Sequence, residues 1–213
     1  MSHSTNIKII DYGMGNIQSV KNAFELFDCN VQIINTPEEI DKADGIILPG
    51  VGAFGNAIKN LHEKKIVEPL KEAVLEKGIP LLGICLGMQL LADSSEERGS
   101  NKGLSLIPGS IQEIPEIEGY RLPHVGWNDL RIKNKENLFK GIADKSSFYF
   151  VHSYRFECSE DYVIATTDYG QNINAAVQKD HIFGAQFHPE RSQKKGLHLI
   201  KNFINFINNK KNY

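Results

Sequence analysis

The stretch Ile79-Pro80-Leu81-Leu82-Gly83-Ile84-Cys85-Leu86-Gly87 decides how the rest of the chain is read. Its apolar first half has the character of a buried strand, and the closing G-x-Cys-x-G reads as that strand passing at once into a helix. Such a bend crowds the backbone. Glycines on both sides of the cysteine remove the side chains that would clash, so the thiol is lifted out of the fold. The bend also sets the backbone N–H of Leu86 beside the sulfur and aims a helix N-terminus at it, surroundings that favour an anionic nucleophile and supply one donor for an oxyanion. Taken alone, the pentapeptide fits a buried structural cysteine equally well.

A second segment, Gln186-Phe187-His188-Pro189-Glu190, tips that balance. On an extended chain, residues two apart share a face, so His188 and Glu190 are expected to lie together with Pro189 stiffening the link. A thiol nucleophile needs an imidazole to take its proton and return it to the leaving group, and the imidazole needs an acceptor on its other nitrogen. Cys85, His188 and Glu190 fill those three roles. His-Pro-Glu alone would be an ordinary surface turn; its coincidence with the cysteine elbow is what assigns it chemistry.

The elbow strand sits in a series of short apolar runs, Lys8–Ile10, Val31–Ile34, Ile46–Leu48 and Pro80–Ile84, which read as buried parallel strands. Between them, Asn16–Phe27 and Val67–Lys77 carry apolar residues at helical spacing, the second ended by Gly78. This βαβα order predicts an α/β fold with helices on both faces of a mostly parallel sheet. The strand-like runs Ser147–Val151, Val163–Thr166 and Asn174–Gln178 are joined by tight turns and predict an antiparallel addition. Leu197–Ile207 predicts a closing amphipathic helix.

Gly50-Val51-Gly52-Ala53-Phe54-Gly55 matches the dinucleotide-binding pattern G-x-G-x-x-G, but it does not follow the first strand, and Pro49 sits directly before it. Beside a cysteine elbow it reads better as an oxyanion strand, with the backbone N–H of Val51 or Gly52 turned toward a tetrahedral intermediate. A glycine-rich turn at the sheet edge is the other reading. No G-x-x-x-x-G-K-[ST] occurs, so an ATP site is not expected.

With 213 residues, 41% of them hydrophobic, and no linker or charge block, the chain is expected to form a single domain over 1–213, with 1–6 flexible. A net charge of −2 gives no electrostatic reason to expect nucleic acid or an anionic membrane. Neither a signal peptide nor a membrane-length apolar run is evident, so a cytoplasmic location is expected. Cys29, Cys85 and Cys158 have no C-x-x-C spacing, which argues against a disulfide framework and a zinc site.

The chain resembles the class I (triad) glutamine amidotransferases, and within them the glutaminase subunits of imidazole glycerol phosphate synthases. The elbow Gly83–Gly87 with Met88-Gln89-Leu90 and the His188-Pro189-Glu190 segment carry the class. Ile10-Asp11-Tyr12-Gly13-Met14-Gly15-Asn16, Leu48-Pro49-Gly50-Val51-Gly52-Ala53-Phe54, Leu122-Pro123-His124-Val125-Gly126-Trp127-Asn128 and Tyr149-Phe150-Val151-His152-Ser153-Tyr154 carry the narrower likeness. The resemblance implies a single-domain amidotransferase fold and hydrolysis of L-glutamine to glutamate and ammonia through a thioester, with no metal or organic cofactor. It implies glutamine contacts from Gly50, Gln89 and the Ser153-Tyr154 backbone, and places Tyr149 and His152 near a partner. That partner would be a (β/α)8 barrel cyclase, forming a heterodimer that makes imidazole glycerol phosphate and a carboxamide ribotide in histidine biosynthesis. Two alternatives are a paralogous glutaminase feeding a sugar amidotransferase of surface-polysaccharide synthesis, and a stand-alone cysteine hydrolase or silent binding partner.

Overall fold

The computed structural model describes residues 4–211. Its strands run in chain order as β1 (Thr5–Ile10), β2 (Cys29–Ile34), β3 (Gly45–Gly50), β4 (Leu81–Cys85), β5 (Ser94–Ser95), β6 (Asn101–Lys102), β7 (Ser110–Glu113), β8 (His124–Ile132), β9 (Ser147–His152), β10 (Tyr154–Glu157), β11 (Val163–Asp168), β12 (Asn172–Lys179) and β13 (Ile182–Ala185). The helices are α1 (Ile17–Phe24), α2 (Phe54–Glu63), α3 (Val67–Lys71), α4 (Leu86–Gln89) and α5 (Gln193–Lys211).

One nine-stranded sheet, ordered β2-β1-β3-β4-β13-β12-β11-β8-β9, organises the molecule, and a four-stranded sheet, β10-β7-β5-β6, lies apart from it. The pairs from β2 through β13 are parallel, while β13-β12, β12-β11, β11-β8 and β8-β9 are antiparallel. This is the expected α/β arrangement with an antiparallel extension. Alternation along the parallel strands divides the core in two. Ile7, Ile9, Ile47, Leu82 and Ile84 face α1 and α5 through Val20, Phe24, Leu199 and Phe203, whereas Ile10, Ile46, Leu48 and Leu81 face Phe54, Leu61 and Leu70 of α2 and α3. β3 and β4 are buried along their whole length and were readable as continuous apolar runs, whereas β1 carries Asn6 and Lys8 and the edge strand β2 exposes Asn30 and Gln32.

Several expectations need correction. Thr5 and Asn6 are not flexible: they pair with Cys29 and Asn30 in β1–β2, and the Asn6 N–H donates to Asp44 Oδ2 at 2.7 Å. Residues 1–3 of the proposed flexible start lie outside the described residues, and Ser4 is exposed. The helix expected over Val67–Lys77 is α3 followed by a π-helical turn, Glu72–Glu76, before Gly78 at φ +68° turns the chain back. The closing helix starts four residues earlier than its apolar face, at Gln193. Among the described residues, no helix is long and apolar enough to cross a membrane.

Candidate active site

Cys85 ends β4 at φ 54°, ψ −111°, a conformation rare for a residue with a side chain, and α4 begins at the next residue. Two glycines permit it. A Cβ on Gly83 would lie 2.6 Å from the Gly87 carbonyl oxygen, and one on Gly87 would lie 1.7 Å from the Leu48 carbonyl oxygen, so the elbow is pressed onto both its own turn and β3. The helix behind the elbow is a single turn, which leaves the contribution of its dipole small and puts the burden on the individual N–H groups.

The register of β3 against β4 sets Gly50 opposite Cys85 and so brings the glycine strand to the elbow. Val51, Gly52, Cys85 and Leu86 line one side of a cavity of about 270 Å³, with Gln89, Glu97, Val151, His152, Ser153 and Tyr154 completing it. Gly50 lies below this cavity, in an adjoining crevice shared with Pro49, Ile84, His188 and Glu190. Gly52 has φ +101°, a backbone conformation that glycine adopts without steric cost, and Val51 is 43% exposed.

His188 follows β13, the parallel neighbour of β4. Its N–H donates to the Tyr149 carbonyl at 2.9 Å, and its carbonyl accepts from the Ser192 hydroxyl, which in turn accepts from the Tyr149 N–H at 3.0 Å. These bonds tie the imidazole to β9. Nδ1 of His188 lies 2.8 Å from Glu190 Oε1, with both side chains almost wholly buried. The pair is joined not by an extended segment, as the sequence suggests, but by a 3₁₀ turn over Pro189–Arg191. Burial lowers the His188 pKa, but the opposing influences of Cys85 and Glu190 prevail and hold it well above the ordinary histidine value.

Around the thiol, Gln186 donates through Nε2 to Sγ at 3.8 Å, and Sγ is the same distance from the Val151 carbonyl. Gln89 donates through Nε2 to Tyr154 O and to Gln186 Oε1, at 3.2 and 3.0 Å, so its Oε1 is what it offers a ligand. Tyr154 O also accepts from His152 Nδ1–H at 2.8 Å, which leaves His152 Nε2 to accept from His124 Nδ1–H at 3.0 Å. Both rings are buried and therefore neutral, with pKa values lowered to about 4 at His124 and about 3 at His152. His124 is thus part of a fixed chain of donors that holds the cavity wall.

Of the residues singled out in the sequence, Val51, Gly52, Leu86, Gln89, His152, Ser153 and Tyr154 line the cavity with Cys85, Gly50, His188 and Glu190 share the adjoining crevice, and Tyr149 lies outside both. Four further roles emerged only from the fold. Glu97 lines the cavity and accepts the Phe54 N–H at 2.8 Å, Gln186 reaches the sulfur, Ser192 braces His188, and His124 braces His152. Gln186 adjoins the His-Pro-Glu segment, and that adjacency was a usable signal; Glu97 and Ser192 carry none.

Residues 8–206 match the sequence profile of the family described as Glutamine amidotransferase class-I. The chain is a class I glutamine amidotransferase. It is 48% identical over 198 residues to the imidazole glycerol phosphate synthase subunit HisH of Moorella thermoacetica, covering 92% of this chain and 93% of that one. It is 45% identical over 204 residues to the HisH subunit of Methanocaldococcus jannaschii, covering 94% and 100%. Among solved structures, a putative GMP synthase protein from Thermoplasma acidophilum superposes with a TM-score of 0.76 at 18% identity, covering 100% of this chain and 98% of that one. PurLQS from Thermotoga maritima gives 0.74 at 19%, covering 96% and 99%. At those identities the structural likeness establishes the amidotransferase fold; the HisH likeness reaches further.

Proposed function

We infer that this amidotransferase is the glutaminase component of an imidazole glycerol phosphate synthase, hydrolysing L-glutamine and passing the ammonia to a (β/α)8 barrel cyclase in a heterodimer. The observation that carries the reading is the convergence, in a chain so like HisH, of a strained cysteine and a glycine strand on one small cavity with a buried His–Glu pair in the crevice beside it.

Cys85 attacks the carboxamide carbon of glutamine, and the backbone N–H groups of Leu86 and of Val51 or Gly52 stabilise the oxyanion that forms. His188 takes the thiol proton as the sulfur attacks, gives it to the departing ammonia and then takes one from the water that cleaves the thioester. Glu190 fixes the ring by accepting from Nδ1. The acceptor atoms in the cavity, Gln89 Oε1 and the Glu97 carboxylate, suit the α-ammonium group of the amino acid, and Ser153 and Tyr154 present backbone to it. Ammonia is mostly protonated in neutral water and then is no nucleophile, so a linked synthase must receive it directly.

Cys85→Ser should abolish glutamine-dependent synthesis by the complex with the barrel cyclase while synthesis from ammonium salts survives. Loss of both together contradicts the division of labour, and activity restored only by a sugar amidotransferase assigns the chain to the other pathway. Because glycine at 50 and 52 makes a peptide reorientation near Val51 cheap, the chain alone is expected to be nearly inactive and the cyclase with its ribonucleotide ligand to switch it on. Glutaminase rates measured alone, with cyclase and with cyclase plus ligand test this. A fast, unresponsive rate for the chain alone refutes it.

A further inference from the structure

The loop Asp11–Asn16, between β1 and α1, has no role in the mechanism above, yet it is packed against the glycine strand at three points. A Cβ on Gly50 would lie 2.1 Å from the Tyr12 hydroxyl, one on Gly15 would lie 3.9 Å from the Gly50 Cα, and one on Gly52 would lie 2.8 Å from Met14 Cε. Gly50 is also the residue opposite Cys85 in the β3–β4 register. The same Cβ on Gly50 would lie 3.3 Å from the backbone N of Gly87, so the Tyr12 hydroxyl reaches the junction of oxyanion strand and elbow.

That hydroxyl is an anomaly. Tyr12 is 1% exposed, and its hydroxyl oxygen is buried with no hydrogen-bond partner among the described residues. Folded proteins rarely leave a phenol so, because the lost hydration is not recovered. Burial, and secondarily the charge of Cys85, raises the Tyr12 pKa, so the group remains an O–H donor throughout the working pH range.

We propose that Tyr12 is a positioning residue for the oxyanion strand, its hydroxyl being the hydrogen-bond donor that the strand engages when it rearranges to face the substrate. A peptide that turns its N–H toward the cavity sends its carbonyl the opposite way, toward the packed interior. A carbonyl buried there without a donor opposes the turn. Tyr12 O–H lies beneath Gly50, where such a carbonyl would arrive, and is uncommitted. The hydroxyl is unpartnered in the resting arrangement and satisfied in the turned one, so it favours the turned state. This inference rests on the glutaminase reading above.

The experiment compares wild type with Tyr12→Phe, each as the full chain in complex with the barrel cyclase, with and without the acceptor ribonucleotide. Phenylalanine keeps the ring against Gly50 and removes only the donor. The variant should unfold at the same temperature as wild type or higher, keep its KM for glutamine within about twofold, and lose roughly tenfold or more of kcat in the ligand-activated complex. Wild-type kcat in an activated Tyr12→Phe complex overturns the proposal, as does a raised KM at unchanged kcat or a fall in unfolding temperature that accounts for the lost rate. A second readout keeps the hydroxyl: 3-fluorotyrosine placed at position 12 should show a fluorine resonance that shifts on activation, and an unmoved resonance overturns the proposal. If the wild-type complex itself lacks glutaminase activity, the functional reading fails and takes this one with it; an active wild type matched by an equally active variant sinks the Tyr12 proposal alone.

Discussion

At the scale of single residues, the site divides its labour between a strained nucleophile and a restrained base. Holding Cys85 at φ 54°, ψ −111° costs on the order of 1–3 kcal/mol, which the surrounding strands offset. His188 needs no strain: Glu190, the Tyr149 carbonyl and Ser192 fix its ring and backbone from three directions. Because proton transfer passes through His188 itself while Glu190 acts only through it, His188→Ala should reduce glutaminase kcat nearly as far as Cys85→Ala. Glu190→Ala should retain at least about tenfold more activity than His188→Ala. Steady-state rates of the three variants in the cyclase complex decide the order, and a Glu190 variant worse than the His188 variant would reverse the assigned roles.

At the scale of elements, the elbow is made by close contact between backbones. Gly87 lies against the Leu48 carbonyl, and β3, β4 and α4 are so close there that no side chain fits between them. Gly87→Ala should therefore cost about 3 kcal/mol or more and displace the sulfur, since the obstructing atom is backbone and cannot move aside. Gly119→Ala, at φ +87° but with open space around it, should cost only about 1 kcal/mol and leave turnover unchanged. Urea unfolding and glutaminase rates of the two variants test the contrast; equal losses would mean that backbone strain and not contact limits the elbow. The same packing explains what the sequence disclosed. The central strands β3 and β4 and the elbow were legible because burial on both faces makes those strands apolar throughout and because glycine is required at 83 and 87. β8 was not, since its apolar Val125 and Trp127 face outward and are half exposed while Gly126 and Asn128 lie on the other face, so the apolar pattern runs against the burial until Leu130 and Ile132. α2 was hidden by the glycine-rich lead-in to Phe54. The nearness of His188 and Glu190 was readable from their spacing, but the 3₁₀ turn that joins them depends on how Pro189 enters α5.

At the scale of the whole molecule, the two halves of the large sheet meet at the site. The parallel half supplies the elbow and the glycine strand, and the antiparallel half supplies β9, which carries the brace of His188 and the cavity wall. The wall depends on a chain of neutral groups from Asn128 through His124 and His152 to the Tyr154 carbonyl. This sets the pH response of stability. His124 and His152 have folded-state values lowered to about 4 and about 3 by burial, and His181 is lowered by the same cause. As pH falls below the ordinary histidine value near 6.5, the unfolded chain takes up protons that the folded chain refuses, so stability declines by about 1 kcal/mol per pH unit for each of His124 and His152, with His181 acting in the same direction. His188 acts in the opposite sense. Its raised value makes its contribution complete below about 6.5, and that contribution is lost only as pH rises through the folded value. The free energy of unfolding should therefore peak near neutrality, with the acid and alkaline limbs belonging to different histidines. His124→Gln should make the acid limb shallower and leave the alkaline one alone, and His188→Ala should do the reverse. Urea titrations from pH 5 to pH 9 measure both limbs, and a stability that is flat between pH 7 and pH 5 would show that the His124–His152 chain does not stay neutral in the folded protein.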